Sequence, residues 1–232
     1  MKTCNFNTAP IIQVAMDEEL APFLAATEPA KIDQVGMEQL QLGHAAVYAR
    51  VLDDYPVLLV RSKIGGTNAA AALTSVISLV SKQPRLVVSA GTAGGLKSGI
   101  AVGDVCVSTT LAYTDADATA FGYARGQTPG QPESFAGDPA LLERLGEVGQ
   151  KALRGATASS GAARLRVGQM LAGNSFVTAA NVADTREVFP AALSTDMEST
   201  ALAQVAASAG VPFVSVRGVS DLCGPEAGQD FH

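Results

Sequence analysis

Tryptophan is absent from this sequence, histidine occurs only twice and cysteine only three times, and each scarcity removes a class of chemistry. The cysteines, Cys4, Cys106 and Cys223, stand far apart, form no CxxC pair and have no histidine at metal-ligand spacing. Neither a zinc site nor a disulfide framework is expected from them. Cys106 falls in a strand-like run and reads as a buried, inert thiol. His44 sits in a polar loop and His232 is the last residue, so acid–base work falls to carboxylates. Basic residues are also few: 16 Lys and Arg against 22 Asp and Glu leave a net charge of −6 with no basic run. A surface that tracks nucleic-acid phosphates is therefore unexpected. No stretch reaches the roughly 18 apolar residues of a membrane span, and the N-terminal MKTCNFNTAPIIQVAM lacks the apolar core of a signal peptide. These absences leave a cytoplasmic protein that acts on a small molecule, without nucleic acid, membrane, metal or cofactor.

What is present is a folding composition. Hydrophobic residues make up 47% of the 232, enough for a large core and far from the disordered range. Strand-length apolar runs alternate with helical patterns: IIQVAM (11–16) leads into an acidic DEEL helix start, and AAVYARVL (45–52) and YPVLLVRSKI (55–64) form a hairpin across Asp53 and Asp54. A glycine turn and long helix (65–83) follow, then strands at 85–91 and 103–113. Beyond residue 138 come a helix (139–153), a strand (165–172), a helix (178–188), a short strand (193–197), a helix (198–209) and a last strand (212–221). This alternation predicts a single α/β domain over 1–232, three-layered α/β/α around a mixed, largely parallel sheet. The interruption at 114–137 exceeds the roughly 12 to 15 residues of an ordinary connector and is rich in aromatics and Gly, so it is expected to be functional.

Ligands of open α/β sheets gather at the carboxyl ends of strands. Those ends carry Met16 with Glu18 and Glu19, then Gly91, Thr92, Gly94 and Gly95, then Ser175 and Phe176, then Met197 and Glu198, and finally Arg217, Ser220 and Asp221. Together they form a set of carboxylates with one arginine, close-approach glycines and an aromatic face, as suits acid–base chemistry on a flat, hydroxylated ligand. Each has a plainer reading as well. SAGTAGGL could be a tight turn, Asp196 and Glu198 could dress a helix N-terminus, Asp221 could cap a helix, and Glu18 and Glu19 could be a solvated first turn.

Taken in order, AMDEEL, KIGGTNAAAAL, SAGTAGGL, VGDVCVS, YTDADATAFGYARGQTPG, GNSFV, TDMESTALA and VPFVSVRGVSD resemble the 5′-methylthioadenosine/S-adenosylhomocysteine nucleosidases of the purine nucleoside phosphorylase superfamily, over residues 10–231. The resemblance implies hydrolysis of an N-glycosidic bond through an oxocarbenium-like sugar. Asp221 would then protonate the purine at N7 while Glu19 activates the water, with Arg217 and Thr92 helping to hold it. Glu198 would take both ribose hydroxyls beside the Met197 thioether, and Met16 would line the sugar. Phe176 would stack on adenine, with Val177 at the base edge and Gly94 and Ser220 completing that end. Phe231 would line the 5′ pocket, completed by Ala118, Phe121 and Pro129 from the long loop of a second subunit, so a homodimer is implied.

The sequence departs from the family pattern at Thr114, where histidine is common, at Ala118, where a bulkier residue is common, and at Thr92, where serine is common. It also ends at His232, where relatives continue into a closing helix, so either a tail lies beyond the given sequence or that helix is lacking. The alternatives that stay open are 6-amino-6-deoxyfutalosine as substrate, phosphorolysis, and nucleoside binding without turnover. Phosphorolysis fits less well because Glu18, Glu19 and Ser89 stand where phosphate-using relatives carry arginines, and a dianion would be repelled there.

Overall fold

The computed structural model describes residues 3–4, 6–32, 36–80, 82–156 and 160–224. The strands that build the site are β1 (Ile11–Val14), the hairpin β2 (Ala45–Leu52) and β3 (Tyr55–Arg61), β4 (Val87–Gly95), β5 (Val105–Tyr113), β6 (Leu165–Ala172), β7 (Ser194–Asp196) and β8 (Phe213–Asp221). The helices between them are α1 (Asp17–Ala25), α2 (Gly66–Leu79), α3 (Pro139–Ala156), α4 (Val182–Val188) and α5 (Ser199–Ala209). The helices and long strands expected from the sequence are thus present, and short strands are added at Thr3–Cys4, Glu28–Pro29, Lys31–Ile32, Gln39–Leu42 and Phe135–Ala136, with 3₁₀ turns at Thr119–Phe121 and Ser160–Ala162; Gln39–Leu42 pairs antiparallel with β2.

Period-two alternation assigns each side chain to a face. Ile11, Leu58 and Val60 point to the side covered by α2 and α5, where they meet Ala69, Leu73, Val76 and Leu202. Val14, Val57 and Leu59 point to the opposite side and meet Leu20 of α1, with Ile12 and Phe23 packed alongside. The hairpin turns on two residues, Asp53 and Asp54, both at positive φ (46° and 69°), a backbone shape that fits the right-handed twist of paired strands.

The sheet is mixed. β1 lies parallel between β3 and β4, and β4 is parallel to β8. β8 then pairs antiparallel with β5, β5 runs parallel to β6, β6 is parallel to β7, and β7 returns antiparallel to β4. Five strands thus close a ring at one end of the sheet, which the linear alternation of elements did not reveal. The closure depends on SAGTAGGL. Its glycines were expected to end a strand or form a turn, yet β4 runs on through Gly95. Gly94 and Gly95 hydrogen-bond β7 on one side, and Gly94 lies in register with Asp221 of β8 on the other.

Candidate active site

The first contributor is the junction of β1 and α1. Acidic residues suit the first helical turn because unpaired N–H groups and the helix dipole make that end positive. Three stand here, and they divide the work: Asp17 and Glu18 are exposed, whereas Glu19 is 9% exposed. One Glu19 oxygen, Oε2, accepts from the N–H groups of Ala15 (2.9 Å) and Met16 (3.2 Å), the second bond being half of a capping box. The other, Oε1, accepts from the Thr92 N–H (2.8 Å) and hydroxyl (3.1 Å) on β4. Glu19 therefore ties a helix start to a strand from another part of the chain.

That tie explains one glycine. Gly91 has φ +137°, and a Cβ there would collide with the Glu19 carboxylate and lie 2.9 Å from Arg217 Nη1. Three residues on, a Cβ at Gly94 would come within 2.5 Å of Cys223 Sγ and 3.3 Å of Asp221 Oδ1. Gly91 thus lets the Glu19 carboxylate lie against the backbone of β4, and Gly94 leaves room chiefly for the Cys223 thiol and then for Asp221.

At the start of α5 the two acids of TDMES separate. Asp196 does the capping that the pattern allowed for either: its Oδ1 accepts from the N–H groups of Glu198 (2.8 Å) and Ser199 (2.7 Å). Glu198 instead points away from its own helix, accepting from Gly65 N–H (2.8 Å) at the start of α2 and from Arg217 Nη2 (3.3 Å). Arg217, on β8, is 1% exposed. Its guanidinium lies 3.3 Å from Glu198, 3.5 Å from Asp196 and 4.0 Å from Glu19, and its Nη1 donates to the Thr92 carbonyl at 3.2 Å. Burial works against the arginine's charge, but the three carboxylates outweigh it and hold the group above its ordinary value. Burial likewise holds Glu198 above the ordinary glutamate range. Arg217 and the Gly65 N–H pull the other way, while Asp196 and Glu19 add to the rise.

Asp221 ends β8 and is 3% exposed. No helix follows it among the described residues. Its Oδ1 takes the Cys223 N–H (2.8 Å) and its Oδ2 the Ser220 hydroxyl (2.9 Å). Cys223 holds a positive φ (54°), and its thiol is pushed up to about 12 by burial and by neighbouring Asp221. Cys106 is buried and also pushed up by burial, as expected of an inert thiol.

A single pocket gathers Met16, Glu19, Thr92, Gly94, Phe176, Val177, Met197, Glu198, Arg217, Ser220 and Asp221. Phe176, 42% exposed, stands at its edge, while Val177 is buried. Ala118, Phe121 and Pro129 are not among the residues lining this pocket. Phe121 is 83% exposed at the tip of the long loop and Pro129 is exposed too, while Ala118 is buried. Phe231 lies outside the described residues. Sequence reasoning missed Asp196 and Cys223 as wall residues. Asp196 carried a usable signal, an aspartate just before a helix. Cys223 carried none.

With these carboxylates gathered in one pocket at the carboxyl ends of β1, β6, β7 and β8, the chain belongs to the phosphorylase superfamily, whose family model matches residues 11–232. It is 36% identical to a 5′-methylthioadenosine/S-adenosylhomocysteine nucleosidase of Staphylococcus aureus over 84% of this chain and 81% of that one. Among solved structures it resembles the corresponding nucleosidase of Neisseria meningitidis in complex with methylthio-immucillin-A, with a TM-score of 0.85, 31% identity, and 97% of this chain and 90% of that chain covered. It also resembles that of Colwellia psychrerythraea in complex with adenine, with a TM-score of 0.85, 30% identity, and coverage of 97% and 86%.

Proposed function

We propose that this protein hydrolyses the N-glycosidic bond of 5′-methylthioadenosine and S-adenosylhomocysteine, releasing adenine and the matching thioribose. The observation that carries the reading is the convergence of Glu19, Glu198 and Asp221, from three distant parts of the chain, on one pocket that also holds a buried arginine.

Adenine sits between Phe176 and the end of β8, where Asp221 gives a proton to N7. The C1′–N9 electron pair leaves with the base, and the sugar becomes oxocarbenium-like. Glu198 accepts hydrogen bonds from both ribose hydroxyls and so fixes C1′ relative to the water. The water adds to C1′ and gives its proton to Glu19. The transfer runs with C–O bond formation, when the water turns acidic. Thr92 and Arg217 frame the space in which that water lies.

On the same reading the chain works as one domain in the cytoplasm, as a homodimer whose 114–130 loop brings Ala118, Phe121 and Pro129 to the partner's 5′ pocket. The exposure of Phe121 supports this. Adenine release from the two nucleosides in phosphate-free buffer tests the activity. Adenine from 6-amino-6-deoxyfutalosine alone, or a strict need for phosphate with a sugar 1-phosphate as product, overturns it.

A further inference from the structure

Three serines with 0% exposure, Ser89 on β4, Ser199 on α5 and Ser215 on β8, meet behind the pocket. Their hydroxyls form a chain: Ser89 Oγ lies 3.0 Å from Ser199 Oγ, which lies 2.9 Å from Ser215 Oγ. The Arg217 Nη2 group donates to Ser89 Oγ at 2.7 Å, shorter than its contacts to any of the carboxylates. Ser108 anchors the far end, its Oγ accepting from Ser215 N–H at 2.8 Å. The surrounding side chains on these elements, Val87, Leu202 and Phe213, belong to the apolar core, so the hydroxyls are a local exception that packing alone does not require.

Arginine only donates, so Ser89 turns a lone pair toward it. A second lone pair and one proton remain on Ser89, so the Ser89–Ser199–Ser215 chain satisfies that bond in either sense.

We propose that Ser89, Ser199 and Ser215 are positioning residues that hold Arg217 in register with Glu198 and Glu19 for the hydrolytic step. The carboxylates alone do not fix it: with Asp196 and Glu198 both within 3.5 Å of Nη2, the arginine has two anions to turn toward, and Ser89 pins it between them. This inference rests on the nucleosidase reading above, which wild-type adenine release checks first.

The test combines kinetics with a readout that does not need turnover. Ser89→Ala is expected to lower kcat for 5′-methylthioadenosine about ten- to hundredfold, with KM within about threefold because the base end is untouched. Ser199→Ala should cost less and Ser215→Ala least, while Ser89→Thr, which keeps the oxygen, should recover most of the rate. In parallel, NMR of wild type should show slowly exchanging Arg217 guanidinium protons, which should be lost in Ser89→Ala and kept in a control variant at exposed Ser75. An unchanged kcat in Ser89→Ala, or equal losses in Ser89→Ala and Ser89→Thr, overturns the proposal. So does retention of the Arg217 signals in Ser89→Ala. If wild type releases no adenine, the nucleosidase reading fails while the NMR arm still decides whether the hydroxyl chain holds the arginine.

Discussion

Asp104 and Glu198 are both buried acids facing an arginine, yet they are held on opposite sides of the ordinary carboxylate range. Asp104, 2% exposed in the turn before β5, meets Arg166 at 2.9 Å and accepts the N–H groups of Ala101 and Arg164. Burial pushes its carboxyl up, but those N–H groups and the guanidinium prevail and hold it down. Glu198 is pushed up by burial and stays up, because its arginine is shared with Asp196 and Glu19. The difference lies in how many anions compete for one cation. Around Asp104 the charges match and the pair braces the fold, whereas around Arg217 the acids are in excess and the ionised state is costly.

Predictions that test this contrast start at the crowded cluster. Glu19→Gln keeps an acceptor for the Ala15 and Met16 N–H groups but turns its amide nitrogen toward the Thr92 N–H, so stability should fall by about 1–3 kcal/mol while kcat per folded molecule falls about 10²- to 10⁴-fold, as loss of a general base does; melting curves beside adenine release check both. Glu198→Gln should lower kcat/KM about 10²-fold through lost sugar positioning and leave Tm at neutral pH unchanged or raised, because it removes a reluctant charge. A large drop in Tm would show that Glu198 braces the fold as Asp104 does. On the proposed reading ribose binding needs the ionised form of Glu198, so the acid limb of wild-type kcat/KM should lie above the ordinary glutamate value and move in Glu198→Gln, where the remaining limb belongs to the rest of the site.

The structural pair should behave the other way. Asp104→Asn is expected to cost about 2–3 kcal/mol, measured by urea titration, since it leaves Arg166 short of its partner; activity per folded molecule should not change. The pH dependences also have opposite signs. A depressed carboxyl gives stability above its unfolded pKa, lost as pH falls through its folded one, so Asp104 should contribute to acid unfolding. A raised carboxyl gives stability below its unfolded pKa, lost as pH rises through its folded one, so Glu198 should make wild type slightly less stable toward neutral pH relative to Glu198→Gln.

Local signals in the sequence located the acids but not what surrounds them. Asp221 was visible as an acid at a strand end, but its role came only through the resemblance of VPFVSVRGVSD to the nucleosidases. The roles of Asp196 and Glu198 were not separable from TDMES alone, since either carboxylate could satisfy a helix start and only the approach of Gly65 and Arg217 decides. Asp104 gave no signal, because its partners Arg164 and Arg166 are sixty residues away. The strands were visible through alternation and β-branched runs, but the ring they close was not. Gly91 to Gly95 looked like a break, and only pairing with β7 and β8 makes that stretch a strand.

The Gly65 amide on Glu198 has a further consequence. One Glu198 oxygen accepts from this peptide N–H and the other from a guanidinium, and each keeps a lone pair for a further donor. On the proposed reading, an arriving diol would meet a carboxylate whose orientation is already fixed from the head of α2.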